Sequence, residues 1–376
     1  MALLRYVSLG ASVFAAYILG SLIPYVWRKR RDRAILQRKF PAPAAAHWLL
    51  GHVPLLSGLS YETLMLFSRW TKTYPRYYLF LAGPLDTKLV LHHAETVKIV
   101  MKTNEPKQHG RGGLYSFAKV WLGDGLLCSS GDKYRRNRKL VTPAFHLEAL
   151  KGYVSMYNEV ALAFVGKLNT LSANTGESVE ISGLVRVCSL EIIMRAAFSC
   201  FAPGDSETYL NKTDYLVQQV LKRALTPLYH FNWLYDRTQE GKQFHKNVEY
   251  VSNVAAAVID QRRSELAQYG AGDNTNRGNN NRKGLDLLDR LLMARDEDGN
   301  GLSREDLLSE VRTLITGGFD TVKSGVVWLI YNLATHRECQ DLARYDVKSQ
   351  YFLVSAAHRI RDLTRLMKCL LNDRSS

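Results

Sequence analysis

The chain has 376 residues, of which 46% are hydrophobic, and a formal net charge of +15. This length and composition provide for a sizeable core in one large domain or two, and they exclude a disordered chain. The charge indicates an acidic partner such as a membrane surface, an acidic protein or nucleic acid. Five cysteines without regular spacing argue against a disulfide framework or a zinc site, and they favour a reducing compartment.

The N-terminal segment predicts a membrane anchor. Tyr6 to Trp27 contains no charged residue, and as a helix it spans about 33 Å, close to the thickness of a bilayer core. A basic cluster begins at Arg28, which places the bulk of the chain in the cytosol and Met1 in the lumen. A cleaved signal peptide is the alternative, but the apolar stretch is long for one and its basic block lies on the C-terminal side.

The cytosolic orientation bears on a glycosylation sequon, Asn211-Lys212-Thr213. Because a cytosolic sequon does not meet the luminal machinery, we predict that Asn211 is unmodified.

Several elements are predicted between the anchor and the last third of the chain. Arg76–Leu81 and Thr87–His92 are rich in β-favouring residues on either side of a Gly-Pro break and predict a hairpin. Ile181–Phe198 predicts an apolar core helix, and Thr213–Leu228 an amphipathic one. The asparagine-rich stretch Gly270–Gly284 predicts a flexible polar loop.

An acidic turn after this loop carries part of a calcium-binding pattern. Its first, third, fifth and sixth positions are Asp296, Asp298, Asn300 and Gly301. The twelfth position, which requires a bidentate Glu, is Leu307, and the ninth is the cation Arg304. We therefore interpret the turn as a solvated lead-in to the next helix and not as a calcium site.

One long helix is predicted from Ser303 to His336. Ser303 can cap it, with Asp306 at capping-box spacing, and apolar residues recur with a helical period. Gly317-Gly318-Phe319-Asp320-Thr321 interrupts the pattern, and each glycine costs roughly 1 kcal/mol relative to alanine. An incidental kink is one interpretation. The other is that the glycines let a flat ligand approach the backbone, beside a proton-carrying Asp-Thr pair.

This interruption resembles the distal helix of the haem-thiolate monooxygenases, the cytochromes P-450. The sequel Ser324-Gly325, Trp328 and Leu333 to His336 is similar to the family 4 branch of fatty-acid ω-hydroxylases. The resemblance implies that Gly317 and Gly318 give the haem face room. It also implies that Thr321 steadies the iron-bound dioxygen and that Asp320 links it to solvent protons.

A second segment agrees with this resemblance. The stretches 121–127, 131–138 and 142–146 are similar to the family 4 helix that clamps the haem propionates. Tyr134 and Arg138 share a helix face, and a guanidinium suits a carboxylate. The family usually has Trp at Tyr134, and a phenol can still donate a hydrogen bond. A solvated basic face or a nucleic-acid patch over Lys133 to Lys139 is the alternative.

The family's axial cysteine loop has no counterpart in the sequence. That ligand comes from a Gly-rich loop far downstream of the distal helix, after a Glu-x-x-Arg pair, yet no glycine follows Gly325 and no glutamate follows Glu338. Cys339 lies about 27 Å along a helix from Thr321 and cannot meet the same iron. Cys369 sits in an apolar helical stripe, which favours a packed or partner-facing thiol. We therefore predict no metal ligand.

The resemblance covers residues 2–343. It implies a mainly α fold, a partial cytochrome P-450 fold that lacks the haem-ligand region, with a small β-sheet and an N-terminal membrane helix. We predict four parts: an anchor over residues 1–27, a basic proline-containing linker over 28–54, a partial monooxygenase domain over 55–344, and an atypical tail over 345–376. Many family 4 members carry a haem-esterifying Glu where this chain has Gly317, so we expect no covalent haem attachment there.

The function implied by the resemblance is a haem-dependent oxidation of fatty acids or related lipids at the endoplasmic reticulum membrane. An NADPH-dependent flavin reductase would dock on a basic face that includes Arg135, Arg136 and Lys139, and the helix within Thr213–Leu228 would either roof the substrate pocket or pack as a surface helix. Without the axial cysteine, the 376-residue chain itself is expected to be inactive. The alternatives are a haem-free membrane protein that competes for reductase or lipid, and a membrane-tethered basic protein that binds nucleic acid; we expect no nucleic-acid partner.

Overall fold

The computed structural model describes residues 20, 23–58, 60–83, 86–103, 113–145, 153–175, 179–200, 205–270 and 286–350. These residues are mainly helical and include one two-stranded sheet, so the predicted mainly α architecture with a small sheet is confirmed. The chain divides into two compact units, the first formed by Met1–Phe117 and Val217–Gln243, and the second by Ala118–Leu216 and Phe244–Ser376.

Thirteen helices and two strands are labelled in chain order within the described residues. The helices are α1 (23–39), α2 (Tyr61–Thr73), α3 (Ala94–Met101), α4 (Leu114–Leu122), α5 (Gly131–Val141), α6 (Val154–Thr175), α7 (Ser182–Phe198), α8 (Ser206–Leu225), α9 (Asn232–Tyr235), α10 (Gln239–Gly270), α11 (Leu287–Met293), α12 (Arg304–Thr335) and α13 (Arg337–Gln350). The strands are β1 (Tyr77–Leu81) and β2 (Thr87–Leu91). Short 3₁₀ turns lie at Val53–Leu55, Thr142–Phe145 and Pro227–His230.

The predicted hairpin is confirmed in the first unit. β1 and β2 pair antiparallel, with Tyr77 opposite Leu91 and Leu81 opposite Thr87. Tyr78 and Phe80 of β1 join Trp70 of α2 in an aromatic core. This packing buries the aromatic side chains of β1 against α2. Burial of such side chains on a pleated surface favours a strand, which explains the sheet in an otherwise helical chain.

The predicted anchor over Tyr6 to Trp27 lies largely outside the described residues. No helix in the described part of the chain is long and apolar enough to cross a membrane. α1 carries the basic cluster from Arg28 onward as a helix as far as residue 39, so the first half of the predicted linker is helical. Arg33 Nη1 donates a hydrogen bond to Gly83 O at 3.0 Å, which ties α1 to the hairpin turn.

Helix α8 begins earlier than the sequence predicts. The prediction placed its start at Thr213, but the helix starts at Ser206, because the Asp205 carboxylate accepts a hydrogen bond from Thr208 N at 3.0 Å and caps the first turn. It ends at Leu225 because Pro227 two residues later disfavours a continued helix. The core helix predicted at Ile181–Phe198 is confirmed as α7, which ends at Ser199 in a left-handed conformation.

Helix α12 confirms the predicted long helix of the second unit. Its 32 residues run without interruption through the glycine pair and extend about 48 Å. Ser303 accepts a hydrogen bond from Asp306 N at 3.0 Å and caps the N-terminus, as predicted. The polar loop predicted at Gly270–Gly284 and the apolar stripe around Cys369 lie outside the described residues, apart from Gly270 itself, the last residue of α10.

Candidate functional site

Helix α12 has one packed face and one open face. Residues at four-residue spacing on the packed face are fully buried: Leu307, Val311, Ile315 and Phe319. Residues on the opposite side, spaced i, i+4, i+7 and i+11, are exposed: Gly317, Thr321, Ser324 and Trp328. Because these spacings follow the helical repeat, the motif predicted from the sequence lies along one continuous open stripe.

The two adjacent glycines serve different purposes. A Cβ atom on Gly318 would lie 2.5 Å from Ile193 Cγ1 of α7, which is closer than real contacts allow, so Gly318 is needed for the packing of α12 on α7. A Cβ on Gly317 would meet nothing within 4 Å. No packing in the described residues therefore requires Gly317 to be glycine, and its open space is available to a ligand that approaches the helix backbone.

The acid and the hydroxyl of the motif are held by local hydrogen bonds. Thr321 Oγ1 donates to Gly317 O at 2.7 Å, and Ser324 Oγ donates to Asp320 O at 3.0 Å. Lys323 Nζ donates to Asp320 Oδ1 at 2.8 Å. The Asp320 side chain remains 36% exposed, so its carboxylate borders both the open stripe and solvent.

Helix α5 is attached to α12 on the side of the open stripe. Asn137 Nδ2 donates to Glu310 Oε1 at 3.2 Å, and Leu126 N donates to Glu310 Oε2 at 3.0 Å. Glu310 precedes Gly317 by seven residues, two helical turns, so the two residues project from the same side. Burial raises the pKa of the Glu310 carboxyl above its usual value.

The loop between α4 and α5 packs tightly against α12. A Cβ on Gly125 would lie 2.8 Å from Ser309 O, so only glycine allows the loop backbone to approach α12 to this distance. Lys133 adds an ion pair with Asp306 at 2.7 Å and another with Asp124 at 3.3 Å. The loop and α5 are thereby fixed against the first turns of α12.

Tyr134 and Arg138, the candidate propionate ligands, lie on α5 on either side of Asn137. Tyr134 is half-buried and Arg138 is exposed. Within the described residues the Arg138 guanidinium has no hydrogen-bond or ion-pair partner, while its carbonyl accepts from Thr142 Oγ1 at 2.6 Å. The structure thus brings the two helices that carry the predicted site residues together within one unit.

The other cations of α5 are bound to carboxylates of the same unit. Arg136 Nε donates to Asp296 Oδ2 at 2.7 Å, Lys139 pairs with Glu297, and Arg135 Nη1 donates to Asp132 at 2.6 Å. The hydrogen bond from Arg136 lowers the pKa of Asp296. The acidic turn that resembles a calcium loop therefore binds a guanidinium.

The residues present fit haem on its distal side. Among the described residues, Gly317 leaves room above the helix face, Thr321 and Asp320 border that room, and the Arg138 guanidinium on the neighbouring helix has no partner. The described cysteines do not favour a thiolate, because burial raises the pKa of Cys188 and raises that of Cys200 to about 11, while Cys128 and Cys339 are fully buried. No group of potential metal ligands is assembled among the described residues.

Three residues of the site were not predicted from the sequence. Glu310, Asn137 and Lys323 belong to helical stretches in which a charged or polar residue ordinarily faces solvent. The spacing of Glu310 to Gly317 was a usable signal, because seven residues in a helix return to the same side. Nothing in the sequence indicated that Asn137 would be its partner, since the two are 173 positions apart.

Comparisons with known proteins identify the family of the chain. The sequence profile of the family described as cytochrome P450 matches residues 41–356, beyond residue 343, where the predicted resemblance ends. Rat cytochrome P450 4F1 is 33% identical over 336 residues, and mouse leukotriene-B4 omega-hydroxylase 3 is 32% identical over 336 residues. Human cytochrome P450 4F12 is 31% identical over 342 residues.

Each of these alignments covers 89% of this chain and 64% of the relative. The chain therefore spans less than two thirds of the length of these curated relatives. The matched profile covers more than half of the chain, and the relatives extend the likeness to the family 4 type. The chain belongs to the cytochrome P450 family.

Proposed function

We propose that the chain carries the distal half of a haem monooxygenase that inserts one oxygen atom of dioxygen into a fatty acid or a related lipid. The observation that carries this proposal is the open stripe of α12, where Gly317 faces empty space and Thr321 and Asp320 stand beside it. The lipid class is supported by the similarity to a relative whose name records ω-hydroxylation of leukotriene B4.

Haem, when bound, supplies the activation of dioxygen at its iron. Gly317 lets the ligand approach the helix backbone, because no side chain fills that position. Arg138 and Tyr134 would hold the propionates, the former through charge-assisted hydrogen bonds. Gly318 acts indirectly, because it allows α12 to pack against Ile193 of α7.

Thr321 and Asp320 would manage protons on the open stripe. The Thr321 hydroxyl now donates to Gly317 O at 2.7 Å, and rotation about its Cα–Cβ bond would redirect that proton toward a bound ligand. Asp320 is partly exposed and engages Lys323 through Oδ1, which leaves Oδ2 to exchange protons with solvent.

The proposal includes a membrane anchor over residues 1–27 and electron delivery by an NADPH-dependent flavin reductase. The uncharged stretch from Tyr6 to Trp27 and the basic residues after it support anchoring in the endoplasmic reticulum membrane. The basic face of α5 would receive the acidic reductase. Arg136 and Lys139 are already bound to Asp296 and Glu297, so this docking would exchange intramolecular ion pairs for intermolecular ones.

A haem-free role is the second candidate. Residues 1–376 contain no Gly-rich cysteine loop after α12, and the described thiols are buried or have raised pKa values. A polypeptide of these residues would then compete for reductase or lipid without catalysis. No observation favours the nucleic-acid alternative, because the pairing of Arg135, Arg136 and Lys139 with carboxylates bears equally on any acidic partner.

The experiment that tests the proposal compares haem binding by substitutions at Gly317 and Thr321, two residues of the open stripe. Gly317→Leu fills the open position, and we expect it to weaken haem binding at least about tenfold, since each 1.4 kcal/mol of clash is a factor of ten. Thr321→Val is the control that keeps the shape of its side chain. A Gly317→Leu variant that binds haem as tightly as the wild type would contradict the distal assignment.

A further inference from the structure

An open cleft of about 810 Å³ lies in the second unit between α5 and the end of α11. One wall is α5 with the 3₁₀ turn that follows it, and the other is the last part of α11 with residues 294–298. The hydrogen bond from Arg136 Nε to Asp296 Oδ2, at 2.7 Å, joins the two walls. The volume lies within the range of about 300–1,000 Å³ that is usual for pockets that bind small molecules.

The charged side chains that line this cleft are mostly basic. Five are cations and three are carboxylates, so the lining has a formal net charge of +2. The cations are Arg135, Arg136, Lys139, Arg290 and Arg295. Two of the carboxylates, Asp296 and Glu297, are paired with Arg136 and Lys139. The excess of positive charge in the lining favours an anionic ligand.

Arg295 has no carboxylate partner within the described residues. Its Nη1 atom donates to Leu292 O at 3.0 Å and to Ala294 O at 2.8 Å, which satisfies carbonyl groups at the C-terminal end of α11. The side chain is exposed, and neither Nε nor Nη2 donates to a described residue. These two atoms form the planar pair of N–H donors that binds a phosphate group bidentately.

Apolar side chains lie beside these cations on both walls. Leu140 and Pro143 belong to the α5 wall, and Met293 and Ala294 belong to the α11 wall. Met293 is 50% exposed, so it offers apolar surface that a ligand can cover, and the flexible methionine side chain adapts readily to an alkyl chain. The cleft therefore combines an apolar surface with an excess of positive charge.

We propose that the cleft binds a single amphiphile that has one apolar chain and a phosphomonoester head. The head lies at Arg295, and the chain covers Met293, Pro143 and Leu140. A phosphomonoester carries a charge of about −1.5 to −2 at neutral pH, which balances the net charge of the lining, whereas a carboxylate balances half of it. The inference goes beyond the proposed function, because it requires no haem and involves no residue of the open stripe.

Methionine methyl NMR tests this proposal, with the full chain labelled with ¹³C in the methionine methyl groups, without haem, in nanodiscs of neutral phosphatidylcholine. Met293→Leu identifies the Met293 resonance by its loss. Octyl phosphate should shift this resonance to saturation. Octanoate keeps the chain with a single charge, and inorganic phosphate keeps the head without the chain, so we expect each to bind at least about tenfold more weakly.

Two arginine substitutions provide the matched comparison. Arg295→Gln removes the cation that binds the head and should weaken the binding of octyl phosphate at least about tenfold. Arg237→Gln is the control, because Arg237 is also an exposed arginine that donates to a backbone carbonyl, Trp233 O at 2.6 Å, and it does not line the cleft. This control should leave the affinity unchanged. Both arginines are exposed, so neither substitution removes a core side chain.

Three results would overturn the proposal as a whole: no saturable shift of the Met293 resonance, an unchanged affinity in Arg295→Gln, or an equal loss of affinity in Arg237→Gln. Equal binding of octyl phosphate and inorganic phosphate would overturn the assignment of the apolar chain. Equal binding of octyl phosphate and octanoate would overturn the assignment of the phosphomonoester head. Because the Met293 resonance reports on the cleft itself, octanoate bound elsewhere on the chain does not affect this comparison.

Discussion

Gly317 and Gly318 are neighbours in one helix, yet within the part of the chain that the structure describes only Gly318 is required by packing. An alanine at position 318 would place a Cβ 2.5 Å from Ile193 Cγ1, while one at position 317 would meet nothing within 4 Å. This contrast separates a glycine kept for helix packing from a glycine free to serve a ligand. It also gives the adjacent pair opposite expected effects on stability.

Gly317→Ala should raise the free energy of unfolding by roughly 1 kcal/mol, because alanine is the better helix former and no clash opposes it. Gly318→Ala should lower it by about 1 kcal/mol, since the cost of overpacking, typically 1–3 kcal/mol, exceeds the gain in helix propensity. Urea denaturation measures both. Ile193→Ala should rescue Gly318→Ala in part, and a Gly318→Ala variant as stable as the wild type would disprove the contact.

Glu310 is the buried carboxylate that joins α5, the preceding loop and α12. Its raised pKa means that ionisation costs stability: the free energy of unfolding is highest below the unfolded-state pKa and falls as pH rises through the folded-state pKa. Glu310→Gln should abolish this decrease in the free energy of unfolding with rising pH. The amide can accept from Leu126 N and donate to Asn137 Oδ1, a buried atom that otherwise lacks a partner.

Glu310→Leu is the contrasting variant, because it removes the carboxylate that accepts hydrogen bonds from Leu126 N and from the Asn137 amide. We expect a loss of about 1–3 kcal/mol. Unfolding measured across the pH range distinguishes the variants. Equal stabilities of Glu310→Gln and Glu310→Leu at neutral pH would show that the hydrogen bonds of Glu310 contribute nothing.

At the level of elements, the acidic turn before α12, residues 296–301, is joined to α5 by hydrogen bonds. Asp296 accepts from Arg136 Nε at 2.7 Å and from Asn300 N at 2.8 Å. Arg136 Nη2 also donates to Gly301 O at 2.9 Å. The same residues that resemble a calcium loop thus connect two helices by a guanidinium and backbone amides.

The lowered pKa of Asp296 predicts an acid-sensitive contact. Its stabilisation is present above the unfolded-state pKa and is lost as pH falls through the folded-state pKa. Asp296→Asn should therefore reduce stability at neutral pH and flatten the decline toward acid, as followed by thermal unfolding. Asp298→Asn removes the same charge from the same turn and should change the stability little. Identical behaviour of the two variants would contradict a specific contact between Asp296 and Arg136.

The elements that the sequence predicted well are those with dense local signals. α12 has a capping serine, a helical apolar period and a clear end, and the hairpin strands have β-favouring residues on either side of a Gly-Pro break. The start of α8 was misplaced because its cap, Asp205, precedes the amphipathic pattern. Contacts such as Asn137 to Glu310 and Arg136 to Asp296 depend on tertiary packing, which no local pattern encodes.

For the whole molecule, the charge after Trp27 predicts the orientation of the proposed anchor over residues 1–27. We expect a glycosylation sequon added at Met1 to be modified in cells and the natural sequon at Asn211 to remain unmodified. Thr213 of that sequon is buried within α8 and donates to Tyr209 O at 2.9 Å. A mass shift from Asn211 after glycosidase treatment would contradict the predicted orientation.

If the proposed function holds, residues 1–376 would supply the distal face of a haem site without a thiolate ligand to complete it. The described thiols are buried or have raised pKa values, and the sequence after Gly325 contains no glycine with which to build a cysteine loop. We therefore expect no catalysis by a polypeptide of these residues alone.

The reduced carbon-monoxide spectrum of a polypeptide of residues 1–376, expressed with haem precursor in membranes, tests this account most directly. We predict no thiolate-type Soret band, with any haem that binds being displaced by Gly317→Leu and retained by Thr321→Val. A thiolate-type band would contradict the account, because it would require an axial cysteine within these residues.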